Sequence, residues 1–253
     1  MTMKVLVTND DGIYAKGIER LAESLGHVAE VTVVAPEVER SAVGHAITLN
    51  DPLRVEEVYK GGKLFGYAVN GTPADCVKIG ISAIMEDKPD AVFSGINPGT
   101  NIGTNAIYSG TVSAAIEGSI MGCSSAAISV VCRKEANYEY AQEFAMKLFK
   151  MLAEKGFPKV LLNVNIPEIP AEEIKAVRLT RQGKMQFREY FDRRQDPSGR
   201  TYYWLTGELI NAEEGVDVDS TALDEGCVSI TPIHYDLTDE KAFQQLRDWR
   251  FEK

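Results

Sequence analysis

Two acidic residues, Asp10 and Asp11, stand side by side at the end of the apolar run Val5-Leu6-Val7-Thr8-Asn9, with Gly12 directly after them. Like charges repel, so adjacent carboxylates at a strand tip ask for something positive between them. A divalent metal ion is the simplest candidate. The competing reading is a solvated turn, because Asn, Asp and Gly are common turn residues. A second segment, Ser94 to Asn105, carries Gly95, Gly99 and Gly103 four apart, each followed two residues later by Asn97, Asn101 or Asn105. Glycine lets backbone approach a ligand closely. An asparagine amide can coordinate a hard cation through oxygen or donate to a phosphate through nitrogen. Ile96, Ile102 and Ile107 argue against disorder, and a long ordered loop in an α/β unit is usually functional. The loop closes on Tyr108-Ser109-Gly110-Thr111, directly before a helical pattern. Hydroxyls and free N–H groups at a helix start make an anion site; capping by Ser109 or Thr111 is the plainer account. Beside two aspartates on a neighbouring strand end, phosphate binding is the favoured reading.

A third segment runs from Ala35 to His45. Ser41 could supply an oxygen ligand there, and Arg40 or His45 could meet an anion. Spacing does not separate this from a solvated loop with a packing or capping serine. His27 and His234 have no acidic or serine neighbour in a catalytic pattern and read as structural or surface residues.

These residues need a frame. Strands are expected at Lys4–Thr8, Val31–Ala35, Ala91–Ser94, Ala126–Val131 and Val160–Val164. Helices are expected at Ala15–Leu25, Pro73–Met85, Thr111–Met121 and Tyr138–Glu154, with Thr72 capping the second and Pro73 at its first position. Alternation from Ile47 to Val69 predicts hairpin-like β structure. Strand and helix alternating in this way predict a Rossmann-like α/β fold, a mostly parallel sheet with helices on both faces. Ligands bind outside the carboxyl ends of such strands, where Asp10 and Asp11, Pro36 to Ser41 and Gly95 to Gly110 all fall. After about Ala176 the texture changes to short β runs, Ala176–Thr180, Tyr202–Thr206 and Val228–Thr231, and an amphipathic helix at about Thr238–Trp249. Aromatics gather at Phe187, Tyr190, Phe191 and Tyr202-Tyr203-Trp204 around the turn signal Asp196-Pro197-Ser198-Gly199. A β-hairpin arm cannot bury such a set alone, so it packs on a partner subunit or folds back on its own domain. The expected organisation is a single domain over 1–253, with an α/β core over 1–175 and the arm and C-terminal oligomerisation elements over 176–253.

The formal charge of −10 over 253 residues argues against a nucleic-acid polymer or an anionic membrane as the main partner. A small anionic substrate remains open, because one metal ion inverts the local field. Cys76, Cys123, Cys132 and Cys227 form no C-x-x-C pair, which points to reduced thiols in a cytoplasmic protein. Met1 runs straight into a strand with no signal-peptide pattern, and no apolar run approaches membrane-spanning length. Dinucleotide, P-loop and nucleophile-elbow motifs are missing from the sequence. A phosphoryl-accepting receiver module also carries adjacent acids after its first strand. It needs a further aspartate on a later strand end, where this chain has Asn97. Hydrolysis by metal-bound water is therefore favoured over phosphoryl transfer to the protein. A receiver-like module without turnover is the runner-up, and an oligomer that only binds nucleotide the third reading.

Six collinear segments resemble the SurE family of metal-dependent nucleotidases. They are Thr8-Asn9-Asp10-Asp11-Gly12-Ile13, Arg40-Ser41, Val69 to Val77, Ser94-Gly95-Ile96-Asn97, Tyr108-Ser109-Gly110-Thr111 and Leu162 to Pro167. Tyr202 to Gly207 and Val228 to Pro232 resemble it too. The resemblance implies a divalent-cation-dependent phosphatase acting on nucleoside 5′- and 3′-monophosphates, built as a homodimer or homotetramer through its C-terminal elements. It implies that Asp10, Asp11, Ser41 and Asn97 hold one Mg²⁺ or Mn²⁺ per subunit, and that Asn101, Ser109, Gly110 and Thr111 surround the phosphate. Asn101 would stabilise charge on the phosphoryl oxygens, and Asp10 or Asp11 would take the proton of the attacking water. The chain departs from the family pattern at Thr104 and Asn105, where acidic residues are usual, and at Pro98-Gly99-Thr100, where small residues such as Ala-Gly-Ala are more usual.

Overall fold

The computed structural model describes residues 2–132, 136–184, 186–210, 213 and 215–250. The side chain of Phe187, one of the expected arm aromatics, lies outside those described. The chain forms β1 (Lys4–Thr8), α1 (Lys16–Leu25), β2 (Glu30–Pro36), β3 (Val55–Lys60), β4 (Lys63–Val69), α2 (Pro73–Ile79), β5 (Ala91–Pro98), α3 (Gly110–Ile120), β6 (Ser124–Val130), α4 (Glu139–Glu154), β7 (Leu161–Ile166), β8 (Val177–Leu179), β9 (Gln186–Gln195), β10 (Thr201–Ile210), α5 (Asp219–Asp224), β11 (Val228–Pro232) and α6 (Glu240–Leu246). A nine-stranded sheet runs in the order β3-β4-β2-β1-β5-β6-β7-β11-β8, and β9 and β10 pair separately. Strands β4, β2, β1, β5, β6 and β7 are mutually parallel, while β3 and β11 run antiparallel to β4 and β7. The expected mostly parallel α/β sheet is what forms.

Both faces of the sheet are covered because successive side chains alternate sides. Val5 and Val7 of β1 join α1 and α4 in one core, with Ile18, Leu21, Phe144 and Phe149. Leu6 points the other way, into a core with Cys76 and Val77 of α2 and Ala114 of α3. Phe93 meets Phe149 at 6.0 Å between ring centroids, tilted by 58°. Each such fully buried large side chain contributes on the order of 1.5–3 kcal/mol. The chain leaves β1 toward β2 on one side and reaches β5 on the other. The end of β1 therefore lies at the point where strand order reverses, the usual crevice of an open α/β sheet.

Three sequence expectations are corrected. The β structure expected from Ile47 begins only at Val55. Thr48 sends both its N–H and its hydroxyl to Asp75, at 3.0 and 2.6 Å, so that stretch is held by side-chain bonds rather than by a ladder. The helix expected to reach Met85 changes at Gly80 into a π-helical turn, Gly80–Ile84. The last helix starts at Glu240, where Asp239 caps it by accepting from the Ala242 N–H. One helix, α5, was not expected at all. Thr72 caps α2 and Pro73 opens it, as the sequence predicts, and Asp75 completes a capping box.

The region after residue 176 divides in two. Strands β8 and β11 return to the main sheet, while β9 and β10 form the expected arm with ten paired positions. Asp196 closes its turn by accepting from the Ser198 and Arg200 N–H groups. Phe191 and Trp204 remain 66% and 59% exposed, so the arm does not bury these aromatics against its own chain. Among the described residues no helix is long and apolar enough to cross a membrane.

Candidate active site

Asp10 and Asp11 follow β1 because that strand is apolar and buried to its tip, where the sheet ends and polar groups can reach solvent. Asp10 is buried. Its Oδ1 accepts the Thr111 hydroxyl at 2.6 Å, and its carbonyl accepts the Arg40 N–H at 2.7 Å. The first turn of α3 is pressed against it, so that a Cβ on Gly110 would stand 2.7 Å from the Asp10 Cβ. Ser109 caps α3, its Oγ accepting from the Val112 N–H at 3.1 Å. A capping hydroxyl that accepts in this way keeps its proton for a further acceptor.

The electrostatics are lopsided. Burial raises the Asp10 carboxyl above its ordinary value, and its bonds to Thr111 only partly offset this. Asp11 is pushed up to about 7, first by burial, then by Asp10 and Glu39. Both neighbouring charges named for Asp11 are negative, and its buried Oδ2 has no hydrogen-bond partner. The adjacent Asn9 Oδ1 and Thr8 Oγ1 are buried without partners as well. A buried carboxylate oxygen without a donor costs stability unless a cation meets it. Among the described residues no three His, Cys, Asp or Glu side chains form a metal cluster. Two carboxylates with neutral oxygens suit a hard cation such as Mg²⁺ or Mn²⁺, and these residues fit one.

Ser41 is exposed, and its hydroxyl donates to Glu39 at 2.6 Å. Sequence reasoning gave Glu39 no role in the site, yet its charge bears on both aspartates. Arg40 donates to the Asn70 carbonyl at 3.4 Å and keeps an unpartnered buried Nε. The anion that His45 meets is one of the protein's own: its Nε2 lies 2.8 Å from Glu117, a buried carboxylate on α3 that also takes Lys78 at 2.7 Å. These contacts tether the loop after β2 to α3.

Asn97 is the last residue but one of β5, and its amide nitrogen donates to the Gly99 carbonyl at 2.7 Å. The sheet register shifts between Gly95 and Asn97. Gly95, at φ +134°, is required there, because a Cβ would come within 2.4 Å of the Ile128 carbonyl. Asn101 is buried. Its amide donates to Ser129 at 2.9 Å, its N–H to Asn165 Oδ1 at 2.8 Å, and its carbonyl accepts from Asn163 at 2.7 Å. The supporting pair Asn163 and Asn165 went unrecognised as part of the site. The available signal was two asparagines two residues apart in an otherwise apolar strand, which puts them on one face. Tyr138, beside α4, is a further omission: burial and then the charge of Asp11 raise its phenol.

A mostly parallel α/β sheet that gathers acids, amides and a helix start at its carboxyl edge belongs to the open α/β class, whose ligands bind at that edge. Its family is equally plain. The chain belongs to the SurE family, whose profile, described as "Survival protein SurE", matches residues 5–189. It is 52% identical over 248 residues to a "5'-nucleotidase SurE" of Syntrophus aciditrophicus, covering 97% of this chain and 93% of that one. To the "5'-nucleotidase SurE" of Syntrophobacter fumaroxidans it is 50% identical over 248 residues, 98% and 99% of the two chains. The crystal structure of the SurE protein from Aquifex aeolicus superposes with a TM-score of 0.83 at 40% identity, covering 97% of this chain and 100% of that one.

Proposed function

We propose that this chain is a divalent-cation-dependent phosphoric monoester hydrolase that releases phosphate from nucleoside 5′-monophosphates, and from 3′-monophosphates as well. The observation that carries this reading is the buried, partnerless Asp11 carboxylate oxygen beside Asp10, in contact with the open first turn of α3. The curated relatives named 5′-nucleotidase support the substrate class. Asp10, Asp11, Ser41 and Asn97 would hold one Mg²⁺ or Mn²⁺. Such an ion supplies positive charge for a phosphoryl oxygen and lowers the pKa of water.

The protein groups divide the remaining work. Ser109 and the N–H groups at Gly110 and Thr111 bind phosphoryl oxygens at the positive end of α3. Thr111 spends its hydroxyl on Asp10, so its side chain orients the carboxylate and its backbone faces the anion. Asn101 has one amide hydrogen on Ser129 and a second for the phosphate. A water oxygen forms the new bond to phosphorus as the ester P–O bond breaks. One proton leaves the water for a carboxylate and the other stays on the new phosphate; the carboxylate's proton then passes to the departing ester oxygen, so the nucleoside leaves as the alcohol. Asp10 or Asp11 takes that proton. Phosphate release from AMP, GMP and 3′-AMP with Mg²⁺ or Mn²⁺ tests the reading. Release with either ion and none in excess chelator is the expected result. No release with either ion, or full release in chelator, overturns it. The exposed arm aromatics suit a second subunit of this chain, and a monomer at sedimentation equilibrium would refute that part.

A second prediction reads the site without turnover. The Asp11 carboxyl is raised from 3.8 to about 7 in the fold. A group raised in this way contributes stability below its unfolded pKa and loses it as pH rises through the folded value. Ion-free protein should therefore lose stability from about pH 4 to pH 7 relative to Asp11→Asn, by at most about 4 kcal/mol. Asp75 and Glu117 are held below their ordinary values against the cost of burial, by Thr48 and Thr72 for the first and by His45 and Lys78 for the second. Both drive the slope the other way, so the difference between the two proteins is the quantity to measure. Saturating Mg²⁺ or Mn²⁺ should raise the parent Tm most near neutral pH and leave Asp11→Asn unmoved. A Tm difference indifferent to pH and ion would refute the cation site.

A further inference from the structure

Asp219, the first residue of α5, is fully buried. It lies beyond the segment matched by the family profile, and no motif in the sequence draws attention to it. Its Oδ2 accepts the Gly103 N–H at 2.9 Å, from 116 residues away. Its Oδ1 accepts the Gly183 N–H at 3.0 Å and the Ser220 N–H at 2.8 Å. Only the last of these belongs to its own helix, so ordinary capping does not account for the other two.

Gly103 is held from both sides. Its N–H goes to Asp219 and its carbonyl accepts the Gln182 amide at 2.7 Å. Asp219 and Gln182 both come from the chain beyond residue 180, and their own segments are joined to each other. Arg181 forms a bridge with Val218; its N–H donates to the Asp217 carbonyl at 2.7 Å, and its carbonyl accepts the Asp219 N–H at 3.1 Å. Gly183 permits the close approach, because a Cβ there would stand 2.8 Å from Asp219 Oδ1. Three residues further on, β9 begins the arm.

A carboxylate buried without a cation is tolerated when several N–H groups meet it, and charge-assisted bonds of this kind are stiff. Gly103 stands two residues past Asn101. We infer that Asp219 is a positioning residue: by clasping Gly103 to the root of the arm, it fixes the loop that carries Asn97 and Asn101 at the reaction centre. The inference rests on the phosphatase reading for what that loop does.

The test uses the full chain. Asp219→Asn keeps the shape but sets an NH₂ against an N–H donor. It should lower kcat/KM for AMP by about 10- to 100-fold and weaken inhibition by inorganic phosphate by about tenfold, as supporting residues around a site commonly do. Gln182→Ala releases the other side of Gly103 without touching the buried charge, and should shift the same parameters less, by about three- to tenfold. Hydrogen exchange at the Gly103 amide should quicken in Asp219→Asn while amides of β1 and β5 stay protected. A merely structural role would lower Tm and the active fraction but leave KM and the phosphate inhibition constant of that fraction unchanged, and this overturns the inference. So does parent-like Gly103 exchange in Asp219→Asn, whatever the activity. If Asp219→Asn does not fold, parent-like kinetics in Gln182→Ala overturn it instead. If the parent chain hydrolyses no nucleotide, the phosphatase reading fails, while Gly103 exchange still decides whether Asp219 holds the loop.

Discussion

Asp10→Asn and Asp11→Asn are each expected to release phosphate from nucleoside monophosphates at least about a thousand-fold more slowly than the parent, with circular dichroism unchanged. A thousand-fold is about 4 kcal/mol of transition-state stabilisation. That is the scale expected when a cation loses one of two charged ligands and a developing charge goes unmet. The structural cost is small. An asparagine at position 10 still offers an oxygen to the Thr111 hydroxyl, which the aspartate accepts at 2.6 Å. At position 11 the substitution removes a charge that burial, Asp10 and Glu39 all disfavour, so the ion-free protein should melt no lower at pH 7. The two results together separate a catalytic carboxylate from a folding one. Activity within tenfold of the parent in either variant would remove that carboxylate from the mechanism.

Gly110→Ala is expected to cost about a hundred-fold in kcat/KM while leaving Tm within a few degrees. A Cβ there would lie 2.7 Å from the Asp10 Cβ and 2.9 Å from Oδ2. Neither partner can yield easily. Gly110 opens α3 against the sheet, and Asp10 is held through its carbonyl by Arg40 and through its carboxylate by Thr111. The clash must therefore shift the carboxylate or the first turn of the helix, and both face the reaction centre. Alanine in a helix is intrinsically better than glycine by up to about 1 kcal/mol, which offsets part of the strain. Steady-state kinetics beside a thermal melt checks this. Unchanged kinetics would show that Asp10 need not stand where it does, and a collapse in Tm would show that the contact serves the fold.

Much of the frame was legible in the residues. The alternation of apolar runs with helical spacing located the central strands, because parallel strands are buried on both faces and read as short apolar blocks. The start of α2 was legible because a capping threonine followed by proline is a local device, complete within Thr72 and Pro73. Asp10-Asp11 stood out because charge at the end of a buried strand has no packing explanation. What went unread has a common cause. Thr48 abandons a strand for Asp75, His45 meets the Glu117 carboxylate on α3, and Asn163 and Asn165 hold Asn101. Each is a bond between residues 27 to 72 positions apart. A polar side chain looks alike in the sequence whether it meets water, a ligand or a distant backbone group.

The sequence by itself determined the fold class and singled out the tip of β1 as the place to look for chemistry, because periodicity, caps and adjacent like charges act within a few residues. Only the tertiary structure decided how the site is charged and held. Burial raised Asp11 to about 7, the field of Glu39 reached both aspartates, and Asp219 joined Gly103 to the arm root. Desolvation and long-range hydrogen bonds depend on which surfaces meet, and those surfaces exist only once the chain has closed.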